Sequence, residues 1–489
     1  METVPDKSNK ILKLYNTLSK KIEEFIPVTP GKVTIYNCGP SVYKVHTKIG
    51  NLRSYTFSDL VVRYFIFLGF KVKHVIKITD VEDHIIAETI EQKIPIKEYT
   101  EANLKDFVKQ IDTLYLIQPD FLPKVTEHID DIVEDINKLK KLGYTYESNG
   151  STYFSINKVK NYGCLVNLEK QEALKKNAQG RMEDFVMDEK ENTNDFCLWK
   201  AWTEEEGDVF WDTDLGKGRP GWHVECSVLA RRYLGDTVDI HIGGISHIFP
   251  HHTNEIAISE AITHKQFVNY WLHHDYLIVD GKGMSKEEGT VYTLNDVLSK
   301  GYHPSVFRYV LLKTHYRQAL NFTWGSMEEA KVALEKIIRF MLWLESINYE
   351  KENNYEIRLD IDTFKNGFMK GMNNDLNMSE AIGSLFDFIN NVNKQKDIIN
   401  KKQAKEAFDF VKTIDSVLGF IEPLYKDYLQ KLDRQIEKNN LTTVISQRTI
   451  ARKNKDYDLA DKLSKQITAA GIKITDGKDG SSYLEIVQT

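Results

Sequence analysis

Short runs of alternating or continuous apolar positions, KVTIYNCG, FKVKHVIKITD, VDIHIGG and YLIVDGKG, are separated by stretches whose apolar residues recur at helical spacing. Strands taken in turn with helices predict an α/β core: a parallel sheet wrapped by helices. The first strand carries Val33 and Ile35 and stops at Gly39-Pro40. From about Glu101 to Thr193 the alternation gives way to helices, a turn at Gly143 and the hairpin-like YTYESNGSTYFSI around Asn149-Gly150, which reads as an insertion within the core. After roughly Gly301 the strand signals vanish, and from Met327 to Asn440 long periodic helices rich in Lys, Glu, Leu and Ile predict a helical bundle. A final unit, a helix followed by ITDGKDGSSYLEIV, reads as a small mixed α/β appendage. The expected division is 1–300 for the α/β core with the insertion at 101–193, 301–345 for a junction, 346–440 for the bundle and 441–489 for the last unit.

A chain of 489 residues, 41% of them hydrophobic, is long enough for about three domains and a large core. The start, METVPDKSNKILKL, is charged and lacks the apolar centre of a signal peptide, and Arg63 and Lys71 interrupt the most apolar early stretch. A soluble, cytoplasmic protein with no membrane partner is expected. The four cysteines include no CxxC pair, so no disulfide framework is indicated and a reducing compartment suits the chain; Cys164 and Cys197 read as bystanders. With a formal net charge of -6, any nucleic-acid partner must be met by local basic patches. The tail supplies one, Arg448, Arg452, Lys453, Lys455, Lys462, Lys465 and Lys473 against Asp456, Asp458 and Asp461, for which charge alone equally describes a solvated helix face.

The chemistry is concentrated in Cys38, Cys226, His251 and Glu255. His251 and Glu255 stand at i, i+4 in FPHHTNEIAISEA, on one face of a helix where both side chains can share a metal. Two soft sulfurs with one imidazole select zinc over magnesium or calcium. Taken alone, two distant cysteines are more often buried core residues than ligands. His251 followed by His252 reads equally as a surface pair or a satisfied core histidine.

CGPSVY, ITDVEDHII, DFCLWK, GRPGWHVECS, FPHHTNEIA and GMSK, in this order and spacing, resemble the cysteinyl-tRNA synthetases of the class I aminoacyl-tRNA synthetases, with matches from about Tyr36 to Asp476. The resemblance implies a Rossmann-like catalytic core with an inserted connective subdomain, a stem-contact junction, a helical bundle and an anticodon-binding C-terminal unit. It implies activation of L-cysteine with ATP and Mg2+ to cysteinyl-adenylate, and transfer to the 3′-terminal adenosine of tRNA(Cys). One Zn2+ per chain, on Cys38, Cys226, His251 and Glu255, would take the substrate sulfur as ligand. Serine would be rejected because its hydroxyl stays protonated and is a poor zinc ligand. Trp222 and Thr79 would line the amino-acid pocket with Cys38 and Cys226. Thr79 and Asp80 in ITDVED also read as a helix start.

The class's first nucleotide signature corresponds to VHTKIGNLRSY, where Ile49, Gly50 and Asn51 match its last three letters. Lys48 occupies the place of its leading histidine and His46 lies two residues earlier, so either could be the donor to phosphate; His46 is preferred. The second signature is Gly283-Met284-Ser285-Lys286-Glu287, with Met284 and Ser285 toward ATP and Lys286 expected to neutralise the departing pyrophosphate. Gly283 and Glu287 depart from the family pattern. Gly243 and Gly244 in HIGGISH would let adenine and ribose approach the backbone, with His247 where the family has aspartate. Arg452, Tyr457, Asp461 and Asp476 fall on anticodon-reading positions, with Tyr457 in place of the family's tryptophan. A monomer is expected. Two other readings stay open: a ligase joining activated cysteine to a small amine, whose relatives lack the anticodon unit, and a noncatalytic tRNA-binding relative.

Overall fold

The structure is a computed structural model that describes residues 11–43, 48–166, 190–285, 289–348, 359–477 and 482–487. Its central sheet has four parallel strands, β1 (Lys32–Asn37), β2 (Lys71–Ile76), β3 (Val238–Gly244) and β4 (Val268–His274), in the order β4-β3-β1-β2. Val33, Ile35, Val75, Ile240, Ile242 and Leu272 are buried, as strands covered on both faces require. Helix α1 (Ile49–Phe67) carries the chain from β1 to β2, and helix α3 (Thr253–Thr263) carries it from β3 to β4. The first crossover leads to one edge of the sheet and the second to the other, so the strand order reverses between β1 and β3. The carboxyl ends of those two strands therefore open a crevice, the place where ligands bind in sheets of this kind.

Between β2 and β3 lie helices, a five-stranded antiparallel sheet running from Thr145 to Pro220, and helix α2 (Trp222–Leu234). The expected hairpin forms at Asn149-Gly150, where both residues take positive φ and pair Thr145–Ser148 with Ser151–Phe154. Two strand expectations are corrected. Leu277–Val279, from YLIVDGKG, does not join the central sheet but pairs in parallel with Leu320–Phe322, a strand beyond Gly301 where none was predicted. The place at the sheet edge belongs to Val268–His274, whose run of aromatics and histidines carries little β alternation.

Helices Trp324–Ser346, Ile361–Asn373, Met378–Lys394, Lys401–Leu418 and Ile421–Lys438 form the bundle. Capping boxes at Thr323 and Asn400 satisfy the first amides of two of them. Phe388 and Phe410 meet edge to face at 4.5 Å, and the bundle's apolar residues are continuous with those of α1 and the sheet. The last unit packs helices Thr442–Lys453 and Tyr457–Ala469 and the hairpin Ile472–Asp476/Ser482–Ile486 around Leu432, Leu441, Ile467 and Ile472. Among the described residues, no helix is long and apolar enough to cross a membrane.

A buried charge cluster ties the bundle to α1. Arg308, fully buried, pairs with Asp59 of α1 and donates to the Leu418 carbonyl at 2.8 Å. Asp59 also accepts from Arg63 and from the Ile117 amide, both at 2.7 Å. Gly419 ends the bundle helix at φ +68°, and a Cβ there would lie 3.0 Å from the Arg308 guanidinium. Removing one partner of such a cluster strands the other in a dry site. Arg308→Met is expected to cost about 3 to 5 kcal/mol of stability, read as a lower urea midpoint at unchanged slope; a midpoint equal to the parent's would remove the cluster from this role.

Candidate active site

Cys38 follows the last residue of β1, at the crevice. The chain passes there only because the next residue is glycine: a Cβ on Gly39 would lie 1.3 Å from the Lys77 carbonyl oxygen. Cys226 lies one turn into α2, behind Trp222. His251 sits in the π-turn leading into α3, and Glu255 is on its first turn. Cys226, His251 and Glu255 have no exposed surface and Cys38 is 7% exposed, so all four leave water behind.

Their donor atoms converge. Cys38 Sγ stands 3.8 Å from Cys226 Sγ and 3.7 Å from Glu255 Oε1, and His251 Nε2 stands 3.0 Å from the same carboxylate oxygen. All four ligand atoms lie within 4.8 Å of one another. A tetrahedral ion with sulfur bonds of about 2.3 Å separates its two sulfurs by about 3.8 Å, so this set fits such an ion. Burial, and after it the Cys226 thiol, pushes the Cys38 thiol well above its ordinary range. Two thiolates beside a carboxylate are stable here only with a cation among them. The cluster is compatible with a bound metal ion.

Histidines that the sequence did not mark as ligands surround it, and His251 and His252 are both buried, not a surface pair. His241, on β3, meets Glu255 Oε2 through Nε2 at 2.9 Å, and His252 Nε2 lies 3.3 Å from Cys38 Sγ. With Cys38 and Glu255, these two make a second donor set of the same compactness. His252 Nδ1 meets His273 Nε2 at 2.7 Å, and His273 Nδ1 meets Thr17 Oγ1 at 2.8 Å. Burial first, and neighbouring histidines second, hold His252 and His273 well below the usual imidazole range, so both are neutral. The available signal was position: His241 stands at the middle of one parallel strand and His273 near the carboxyl end of another.

A cavity of about 330 Å³ opens at the crevice, lined by Cys38, Lys48, Gly50, Trp222, Gly244 and Met284 among others. Asn51 and His247 also line it. The Trp222 ring stacks on the His251 imidazole at 3.6 Å and 13°, joining the cavity wall to the donor cluster. α1 begins at Ile49 with no side-chain cap, so its partial positive charge faces the cavity. The segment of the second signature is strapped to this helix start: the Ile49 amide donates to the Tyr292 carbonyl at 2.9 Å, and a Cβ on Gly50 would meet the Met284 methyl at 2.5 Å.

Other expected site residues stand elsewhere. Ile49 is a fully buried core residue. Gly243 makes room for the His252 ring, 2.5 Å from where its Cβ would be. Thr79 takes a hydrogen bond from the Lys77 ammonium, and the Ser285 amide donates to Thr290 Oγ1 at 2.8 Å; neither lines the cavity. ITDVED does start a helix, at Asp83, but Glu82 makes no side-chain cap, and Asp80 instead accepts from the Thr126 amide at 3.0 Å and from its hydroxyl. His46 and Lys286 lie outside the described residues. In the last unit Arg452 donates to Asp476 at 2.7 Å, while Tyr457 is 57% exposed and Asp461 is exposed. Arg448 is not part of a solvated basic patch: it is buried and holds Asp476 through two hydrogen bonds of 2.6 Å.

A parallel sheet with its strand order reversed at a nucleotide-sized crevice is the frame of the class I tRNA synthetases. The fold matches methionyl-tRNA synthetase of Mycobacterium tuberculosis with a TM-score of 0.60 at 11% identity, covering 83% of this chain and 94% of that one. It also matches the LeuRS of an Agrobacterium radiobacter K84 ternary complex, with a TM-score of 0.58 at 10% identity over 81% of this chain and 85% of that one. Residues 24–332 match the catalytic domain of the class I (C) tRNA synthetases, and 367–422 match the DALR domain. A cysteine-tRNA ligase from Brachyspira hyodysenteriae is 41% identical, covering 97% of this chain and 99% of that protein; one from Chlamydia pneumoniae is 39% identical over 96% and 97%. The chain belongs to the cysteine-tRNA ligase family.

Cys226→Ser is expected to lower affinity for a bound soft divalent metal at least tenfold, on the order of the loss of one ligand. Metal analysis after dialysis against chelator checks it, and full occupancy would remove Cys226 from the ligand set.

Proposed function

We propose that this chain activates L-cysteine with ATP, carried as its Mg2+ complex, to cysteinyl-adenylate and transfers the cysteinyl group to the 3′-terminal adenosine of tRNA(Cys). The observation that carries this reading is the buried sulfur, imidazole and carboxylate cluster beside a cavity whose lining draws on both nucleotide signatures. Zinc on Cys38, Cys226, His251 and Glu255 would supply selective coordination of a thiolate over a hydroxyl. Trp222, stacked on His251, gives the amino acid an aromatic wall. The start of α1, with Gly50, Asn51 and Lys48 on the cavity, receives phosphate; Met284 against Gly50 couples the second signature to the first. Lys286, next after Ser285, is assigned the pyrophosphate charge, and His46 remains the preferred donor from the first signature. Between a tRNA and a small amine as acceptor, the last unit favours tRNA: Tyr457 presents an exposed ring for base stacking, with Arg452 and Asp476 on the same unit.

Cysteine-dependent exchange of labelled pyrophosphate into ATP tests activation, and charging of a transcript with anticodon GCA tests the acceptor. A zinc-loaded, folded protein without exchange would refute the enzyme. Lys286→Ala is expected to reduce exchange about 100-fold with metal content unchanged; exchange at the parent rate would take Lys286 out of the mechanism. Tyr457→Ala is expected to weaken tRNA charging about tenfold or more, as loss of one stacked base does, while exchange holds. Equal charging by the variant would mean that Tyr457 does not read the loop.

A further inference from the structure

Lys77 lies where the two cysteine-bearing segments meet. Its amide donates to the Asn37 carbonyl at 3.2 Å, one residue before Cys38. Its ammonium donates to Glu225 at 2.6 Å, one residue before Cys226, and to the Thr79 hydroxyl. The side chain is 1% exposed, and Lys77 is among the residues lining the cavity. Lysine is almost never buried to this degree unless paired, and Glu225 satisfies that requirement without explaining why an ion pair is placed here.

The charge balance of the donor set supplies a reason. Two thiolates, a carboxylate and a divalent cation sum to one negative charge. A substrate thiol that binds as thiolate gives its proton to solvent and raises the total to two; a hydroxyl that stays protonated adds none. Where few waters reach the donors, the additional negative charge is favoured by the positive end of a fixed ion pair nearby, and Lys77 with Glu225 is such a pair.

Building on the cysteine-activating reading above, we propose that Lys77, tethered by its amide to the Cys38 segment and by its ammonium to the Cys226 segment, is a specificity-determining positioning residue whose buried charge favours a substrate held as thiolate over its hydroxyl analogue. It acts on the amino acid through charge and touches no reacting atom.

The double variant Lys77→Met/Glu225→Gln removes both charges and so strands neither. It is expected to keep its zinc and its thermal midpoint, to raise the KM for cysteine in pyrophosphate exchange about tenfold, the equivalent of one pKa unit, and to leave kcat and the exchange measured with serine unchanged. In cobalt-substituted protein, the sulfur-to-cobalt charge-transfer band that grows on adding L-cysteine should need about tenfold more cysteine, a readout independent of turnover. Glu225→Gln alone keeps the ammonium and is expected to hold its cysteine KM about tenfold below that of the double variant. An unchanged cysteine KM and cobalt titration would overturn the proposal, as would equal losses toward cysteine and serine, or a Glu225→Gln variant as impaired as the double. Loss of zinc from the double variant would assign Lys77 to building the ligand set and overturn the specificity role. Absence of exchange in the parent protein would sink the enzyme reading instead, leaving the cobalt titration to judge Lys77.

Discussion

Two thiols, a carboxylate and several imidazoles packed together without water are the constraint that the rest of the catalytic half accommodates. Each of these groups costs free energy to bury unless it is paired, and the thiols and the carboxylate repel one another once ionised. The fold brings them together from four separate pieces of chain: the end of β1, α2, the turn into α3, and β3. None of these holds more than two donors of the first set, so the cluster exists only when the sheet and its crossovers are assembled. The reversal of strand order between β1 and β3 places that assembly where an open α/β sheet binds its ligands. Donor cluster and cavity therefore share one crevice, and Trp222, stacked on His251 and lining the cavity, is the physical contact between them.

How much of this was legible depended on whether a residue's role came from local pattern or from long-range contact. The strands β1, β2 and β3, the hairpin at Asn149-Gly150 and the bundle helices all carry a local period or a turn signal, and all form. The i, i+4 relation of His251 and Glu255 is equally local, and the two side chains meet at 3.0 Å. By contrast, Val268–His274 becomes a strand because β3 offers it a parallel partner, and Leu277–Val279 leaves the sheet because Leu320–Phe322 pairs with it. Gly243 looked like a nucleotide-facing glycine and instead clears space for His252, a residue whose distance in sequence concealed the contact. Arg448 read as one cation in a basic run because its bidentate partner Asp476 lies 28 residues further on.

The bundle and the catalytic half share one continuous core, in which position is set by buried polar groups as well as by apolar packing. Asp59 serves α1, the 117 amide and Arg308 at once, and Arg308 reaches on to the end of a bundle helix at Leu418. Asp415, near the same end, accepts from the amides of Phe420, Ile421 and Glu422 and so starts the next helix. α1 thus has its amino end in the active site and its flank anchored to the bundle. An apolar contact of the same area would tolerate sliding, whereas directional hydrogen bonds to Asp59 fix the register of α1 along its axis. The helix start that faces the cavity inherits that register.

The histidines behind the donor cluster add order of a different kind. His252 and His273 are neutral, so each has one ring nitrogen that donates and one that accepts. If Cys38 is a thiolate, its sulfur accepts from His252 Nε2–H, so His252 Nδ1 must accept from His273 Nε2–H. His273 Nδ1 is then an acceptor, and the Thr17 hydroxyl donates to it. Every step has the same polarity, and the chain ends on a group that can rotate to serve either direction. A protonated Cys38 that donated to His252 Nε2 would reverse the whole row. The tautomers of two buried imidazoles and the rotor of Thr17 are therefore correlated with the ionisation of one thiol, and a metal ion that holds Cys38 as thiolate also selects a single hydrogen-bond arrangement for the wall behind it.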